Sequence, residues 1–266
     1  ITSKIKKRSG GLRTIEAPNK TLKAIQRKHL RFLDDVFKPS PFAHGFIRSR
    51  NIVTAARPHL KRKYLLRMDI KDFYNSIKYD SFIKNAPVMK YNVYVEKILK
   101  ECFRTRGNDC YLTQGSPTSP LLSNVFLYHF DWAVAWYAYY RKVAYTRYAD
   151  DLFFSGNDKE VLKQIICFIT KKLSTLGLTV NKKKTRIINP WQRKIVTGIL
   201  VNQKINVPKK TRKIIRAIIH NSKVSGVPLT KEQEGLIAFQ KMSKKRFHKY
   251  DNNLQICKAY EVAKNM

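Results

Sequence analysis

Asp150 and Asp151 stand side by side after Arg147-Tyr148-Ala149, and Asp69 ends an apolar run earlier in a chain of 266 residues. The segments flanking Asp150 and Asp151 are β-branched and aromatic, so the pair is expected at the tip of a largely buried hairpin. Two carboxylates in such a place repel each other unless a cation holds them. If the strand ending at Asp69 lies beside that hairpin, three carboxylates meet. Hard oxygen ligands of this kind suit Mg²⁺, which keeps some waters and takes its remaining ligands from substrate phosphates. Two such ions, roughly 3.5–4 Å apart, serve phosphoryl transfer by stabilising attacking and leaving oxygens together. The competing reading of the pair is a plain turn made from two good turn formers.

The charge balance says what the substrate is. Lys and Arg total 54 against 18 Asp and Glu, a formal net charge of +36. A compact chain this basic repels itself unless a polyanion neutralises it, and nucleic acid is the expected partner. An apolar share of 43% excludes the disordered and collagenous classes. No membrane span is expected: the longest apolar stretch, 120–136, is interrupted by Ser123, Asn124, His129 and Asp131. The opening residues read as basic rather than as a secretory signal, which gives a cytoplasmic expectation, with the native start lost before Ile1. Cys102, Cys110, Cys167 and Cys257 show no C-x-x-C spacing and are expected to be reduced core thiols rather than zinc ligands or disulfides.

The elements that must position the acids can be read from periodicity. Residues 4–16 form a hairpin around Ser9-Gly10-Gly11. A helix follows Pro18, with Leu22, Ile25, His29, Leu33 and Val36 at helical spacing, and stops at Pro39 and Pro41. Residues 63–70 make a strand that delivers Asp69. Residues 120–140 read as one long buried helix, and 143–155 as two β arms around the acidic turn. Asp158 caps a helix ended by Gly177. From Pro208 onward the chain is helical and basic, with a break near Gly226-Val227-Pro228. The expected class is α+β, with helices on one face of a small sheet.

Four segments in order resemble the palm motifs of reverse transcriptases. Tyr148-Ala149-Asp150-Asp151 resembles their catalytic box, and Met68-Asp69-Ile70-Lys71-Asp72-Phe73-Tyr74 their first palm motif. Gln114-Gly115-Ser116-Pro117-Thr118-Ser119-Pro120, continued by Leu122-Ser123-Asn124, resembles the Gln-Gly-x-Pro-x-Ser-Pro motif. Gly177-Leu178 through Asn181-Lys182-Lys183-Lys184-Thr185 resembles the next, with its lysine at Lys184. The retron branch fits best, because Val196-Thr197-Gly198 is similar to its Val-Thr-Gly element. Residues 55–59 resemble its Asn-Ala-x-x-His element, although Ala55 stands where that pattern has asparagine.

The resemblance implies a right-hand polymerase fold: fingers and a ferredoxin-like palm over 1–200, and a basic helical thumb over 201–266. It implies Asp69, Asp150 and Asp151 as catalytic and metal-holding residues for two Mg²⁺, with Asp151 touching the ions less directly. Lys6, Arg13, Ile70, Phe73, Tyr74, Gln114 and Lys184 would meet the incoming dNTP. In that set the Tyr74 ring excludes a ribose 2′-hydroxyl, the Phe73 N–H meets the triphosphate and Lys184 protonates pyrophosphate. His59, Val196, Thr197 and Gly198 would contact RNA, and Lys209, Lys210, Arg212, Lys213 and Arg216 would grip a duplex backbone. Arg147 is expected to balance the charge of the acidic turn. The implied activity is copying a cognate structured non-coding RNA into DNA from an RNA 2′-hydroxyl, beside an effector protein in anti-phage defence. A group II intron-like or abortive-infection-type polymerase and a silent RNA-binding scaffold are the alternatives.

Overall fold

The computed structural model describes residues 2–6, 10–86 and 93–244. The chain opens with a hairpin, β1 (Thr2–Lys6) and β2 (Leu12–Glu16), followed by α1 (Lys20–Val36). Next come α2 (Ile52–Ala56), running into a 3-10 turn at Arg57–His59, then β3 (Tyr64–Asp69), α3 (Phe73–Ser76), α4 (Tyr79–Asn85) and α5 (Val93–Cys102). A second hairpin, β4 (Arg104–Arg106) and β5 (Asp109–Tyr111), leads to α6 (Ser119–Phe126) and α7 (Tyr128–Tyr139). Then follow β6 (Ala144–Tyr148), β7 (Asp151–Gly156), α8 (Lys159–Thr175) and β8 (Arg186–Ile188). The short hairpin β9 (Ile195–Val196) and β10 (Ile199–Leu200) precedes α9 (Lys209–Ser225) and α10 (Lys231–Lys244).

The central sheet runs β6-β7-β3-β8, antiparallel throughout. The long β3–β6 connection ends in α6 and α7, and α8 connects β7 to β8, which is the split β-α-β arrangement of ferredoxin-like folds with an insertion after the first strand. Period-two alternation sorts its residues. Leu66, Met68, Leu152 and Phe154 enter the main core with residues of α6, α7 and α8 such as Phe126, Val134 and Ile165. Leu65, Phe153 and Ile188 enter a second core with Val53, Val196, Ile199, Val201 and Val207. The expectation of cover on one face therefore needs correcting: α2 and the β9–β10 hairpin lie against the other. A one-residue register slip would exchange the two cores, so both faces fix the ladder.

Local chemistry sets the element ends. Asp158 Oδ1 accepts the Glu160 N–H at 2.8 Å and starts α8. Gly177, at φ 76°, closes it, with the Leu178 N–H donating to Leu173 O at 2.9 Å. The single long helix expected over 120–140 is two helices, bent at Leu127 (φ −89°, ψ 9°). Both sides of the bend are buried, so apolar periodicity runs through it and could not mark it. Of the expected core thiols only Cys102 is buried; Cys110 is half-buried and Cys167 exposed. Cys257 and residues 245–266 lie outside the described residues. Among the described residues no helix is long and apolar enough to cross a membrane.

Candidate active site

The β3–β7 register places Asp69 directly opposite Asp151, so both side chains share one face at the end of the sheet. Asp150 lies in the two-residue β6–β7 connection, and its carbonyl accepts the Ile70 N–H at 3.0 Å. The first residue of that connection, Ala149, has φ 55°. A primed turn matches strand twist, but a left-handed alanine is strained by roughly 1–2 kcal/mol.

Two buried groups hold the turn in that conformation. The Arg147 guanidinium donates to the Ala149 carbonyl at 3.2 Å and to Asn124 Oδ1 at 2.9 Å. It forks onto Asp131 at 2.8 and 2.7 Å, and both residues are fully buried. Tyr145 Oη donates to the same Asp131 carboxylate at 2.7 Å, and the Asn124 amide donates to Gly45 O at 3.0 Å. The expected role of Arg147 is thus corrected: its charge is matched by Asp131 on α7, not by the acidic turn. Gly45 completes the support, since a Cβ there would stand 2.8 Å from Ala149 N.

The three carboxylates are held differently. Asp69, 4% exposed, accepts the Asn181 amide at 3.0 Å and the Lys184 ammonium at 2.9 Å. Asp151 accepts three donations from Arg67, two of them on Oδ1 at 3.1 and 2.8 Å and one on Oδ2 at 3.1 Å. Burial, then the charges of Asp151 and Asp69, push the Asp150 carboxyl up to about 6. Burial raises Asp151 as well, against the pull of Arg67. The expected convergence is therefore corrected in detail: the acids are neighbours, but no three His, Cys, Asp or Glu among the described residues close into a metal cage. The donor set still fits a divalent cation, since the carboxylate charges that hold Asp150 and Asp151 up are the environment a hard cation relieves. Asp69 and Asp150 would hold it, with substrate phosphates completing the shell.

The nucleotide-facing expectations divide. Tyr74 is half-buried beside Phe73, ring centroids 5.3 Å apart; burial and then the charge of Asp150 push its phenol up to about 12. Its phenol is thus within electrostatic reach of Asp150. Phe73 opens α3 after Asp72, which sits at φ 44°, and its ring is buried. Ile70 is 1% exposed, so its side chain belongs to the core and only its backbone serves the site. Gln114 is half-buried, and its carbonyl anchors the β1–β2 hairpin by accepting the Glu16 N–H at 2.8 Å. Lys6 pairs with Leu12 and Arg13 with Ile5, so Lys6 and Arg13 leave opposite faces of that hairpin. They do not form the expected gripping pair, because opposite residues share a face and these two are one register step apart.

The expected RNA contacts divide too. His59 is fully buried, with Nδ1 2.7 Å from Ser155 Oγ and Nε2 2.8 Å from Thr146 Oγ1. Burial depresses its pKa to about 3, so it is a neutral core histidine and direct RNA contact is corrected. Ala55 is also buried and meets the sheet through its carbonyl, which accepts Thr146 Oγ1 at 3.0 Å. Val196 is buried as well. Thr197 and Gly198, at φ 47° and 85°, make the β9–β10 turn, and Thr197 Oγ1 donates to Ile52 O at 3.0 Å. This element joins α2 to the palm. Lys209, Lys210, Lys213 and Arg216 are exposed on α9, while Arg212 is half-buried.

Sequence reasoning assigned no role to Arg67, Asn181, Gly45, Asn124 or Asp131. Arg67 was findable, since a residue two before Asp69 on a strand shares its face. The others depend on contacts that no local spacing announces.

The reverse transcriptase (RNA-dependent DNA polymerase) family matches residues 5–214. The chain is 33% identical to the retron Mx65 reverse transcriptase of Myxococcus xanthus, over 91% of this chain and 61% of that protein. It is 33% identical to the retron Ec86 reverse transcriptase of Escherichia coli (79% and 65%), and 31% identical to the retron Ec83 enzyme of the same species (85% and 67%). The chain thus spans roughly three fifths to two thirds of these curated relatives. In fold it is similar to telomerase from Candida albicans solved with a fragment of telomeric RNA: TM-score 0.53 at 14% identity, over 78% of this chain and 45% of that one. Apo telomerase from Candida tropicalis gives TM-score 0.53 at 13% identity, covering 77% and 48%.

Proposed function

The chain belongs to the reverse transcriptase family, in its retron branch, and on that premise we propose that it is an RNA-directed DNA polymerase copying part of one structured non-coding RNA into DNA. The observation that carries this is the placement of Asp69 opposite Asp151, with Asp150 in the adjoining turn, on a chain of net charge +36. Reverse transcriptases work with divalent metal ions. Here two Mg²⁺, held by Asp69 and Asp150, would supply charge neutralisation at the triphosphate.

The chain's own residues do the rest. Arg67 keeps Asp151 fixed, and the Arg147–Asp131 pair keeps the turn in its strained shape. Tyr74, within electrostatic reach of Asp150, lies under the sugar and excludes a 2′-hydroxyl. Lys184 leaves Asp69 when substrate binds and gives its proton to the departing pyrophosphate. Helix α9 lies along the product duplex, which it holds by phosphates and shape without reading sequence. Priming from an RNA 2′-hydroxyl, and service beside an effector protein in anti-phage defence, complete the proposal.

The test is extension of a primer on an RNA template with dNTPs, beside extraction of nucleic acid from cells expressing the chain with its neighbouring DNA. Asp69→Asn and Asp150→Asn should each lower extension by about a thousandfold or more, the loss of several kcal/mol of charge stabilisation, while RNA is still bound. A short DNA released from RNA only by debranching supports the retron chemistry. Unbranched, heterogeneous nucleic acid would refute that part and leave the polymerase.

A further inference from the structure

Trp191 is 81% exposed, although tryptophan is among the residues most covered on average. Its loop is not loosely built. The Gln192 N–H donates to Asn189 O at 3.1 Å, and Gln192 Oε1 accepts the Asn189 N–H at 2.8 Å. Lys194 is 4% exposed and spends its ammonium on Pro190 O at 3.0 Å. Asn202 ties both sides, accepting the Lys194 N–H at 2.9 Å and donating to Gln192 O at 2.9 Å. A largely buried lysine and two amide side chains thus fix a short loop whose tip holds an indole out in solvent. The backbone that carries the ring is thus tied down before any partner arrives.

The surroundings name the partner's charge. Residues 161–230, which include this loop and α9, contain sixteen Lys or Arg and no Asp or Glu. Arg193, two residues beyond Trp191, is exposed. An exposed aromatic ring beside the exposed Arg193, in seventy residues of chain without an acidic side chain, matches a nucleobase stacked on the ring and a phosphate near it. Because β8 runs antiparallel to β3, with Ile188 opposite Leu65, the loop leaves the sheet at the end away from Asp69. Four strand residues separate these ends, about 13 Å, so a base held there lies outside the reacting centre.

We propose that Trp191 is a stacking platform for an unpaired base of RNA bound at this basic stretch of the chain. The inference rests on the proposed function in that RNA is the natural ligand, and it names where an unpaired segment of that RNA is held. Structured RNA is told apart mainly through unpaired bases, and base stacking of this kind is sequence-tolerant.

The test uses the full chain with a twelve-residue oligoadenylate and, separately, a blunt RNA duplex. Trp191→Ala should weaken oligoadenylate binding by about tenfold, whereas Trp191→Phe, which keeps an aromatic face, should weaken it less. The emission lost between the wild-type chain and Trp191→Phe should be quenched by the oligoadenylate and not by the duplex. The salt dependence of binding should keep its slope, because no phosphate contact is removed. Equal affinity of the alanine variant, or quenching that follows protein concentration without RNA, overturns the proposal; the latter would make Trp191 a contact between protein chains. Primer extension on a pre-annealed RNA–DNA hybrid separates the two levels. If it persists while Trp191→Ala has no effect, only this inference fails, and if neither extension nor RNA binding occurs, the proposed function fails with it.

Discussion

Arg67 reaches across from β3 and closes on both carboxylate oxygens of Asp151, two residues before Asp69 on the same strand. One cation thereby fixes the third acid of the site, while Asp150, in the adjoining turn, takes no part in that pair. Arg67→Met should lower kcat by about 10- to 100-fold, the size typical of removing a residue that orients a metal-site carboxylate. It should also shift the Mg²⁺ concentration giving half-maximal rate, and Arg67→Lys should recover part of both. A loss of melting temperature with kcat and the Mg²⁺ response unchanged would leave Arg67 a purely structural residue.

Gly45 has no room for a side chain against the acidic turn. In Gly45→Ala the new Cβ would stand 2.8 Å from Ala149 N, a backbone atom that can yield only by moving the turn. Extension should fall by at least about tenfold at near-normal stability, because misplacing a catalytic group by a fraction of an ångström is costly. Full activity in the alanine variant would show that the turn tolerates the shift.

Removing Arg147 strands Asp131 in the main core. Arg147→Met should destabilise the fold by about 3–5 kcal/mol in urea unfolding, as breaking a fully buried pair does. Adding Asp131→Asn should return part of the loss, since the coupling lies between the two charges. Strict additivity of the two changes would contradict the pairing.

Asp150 makes a pH prediction of definite sign. Its carboxyl is pushed up to about 6 in the fold from the usual 3.8, so folding favours the neutral form. Its contribution is fully favourable below about pH 4 and is lost as pH rises through 6. Without divalent metal, Asp150→Asn should therefore gain on the order of 3 kcal/mol over the wild-type chain at pH 8 and nothing at pH 4. Added Mg²⁺ should narrow the difference at pH 8. An equal gain at both pH values would mean that charge is not the cause.

Tyr74 lies close enough to Asp150 to feel its charge. Tyr74→Val should raise ribonucleotide incorporation relative to deoxyribonucleotide by roughly 10- to 100-fold in single-nucleotide extension, the range a steric hydroxyl filter supplies. An unchanged ratio would move sugar selection to another residue.

Much of this was legible in the chain itself. Apolar and aromatic runs marked the strands that deliver Asp69 and Asp151, and the acidic turn lay between two arms that read plainly as β. Caps at Asp158 and Gly177 marked α8 without help from the fold. Charge alone named a polyanionic partner. These features are local: each depends on residues within a few positions, where backbone preference and period act directly.

What the tertiary structure decided is which group holds which. Arg67 and Asp151 are 84 residues apart, and Lys184 and Asp69 are 115 apart. Neither pairing has a signature in spacing, because the side chains meet only after three strands are in register. The same holds for the corrections. His59 and Val196 look like polar and turn elements available to RNA until the second core closes over them. Lys6 and Arg13 look like a pair until the hairpin register sends them to opposite faces. The sequence determined the chemistry that is present and the order in which it arrives; packing between distant segments determined which charges are neutralised, which are buried, and so which are left to act.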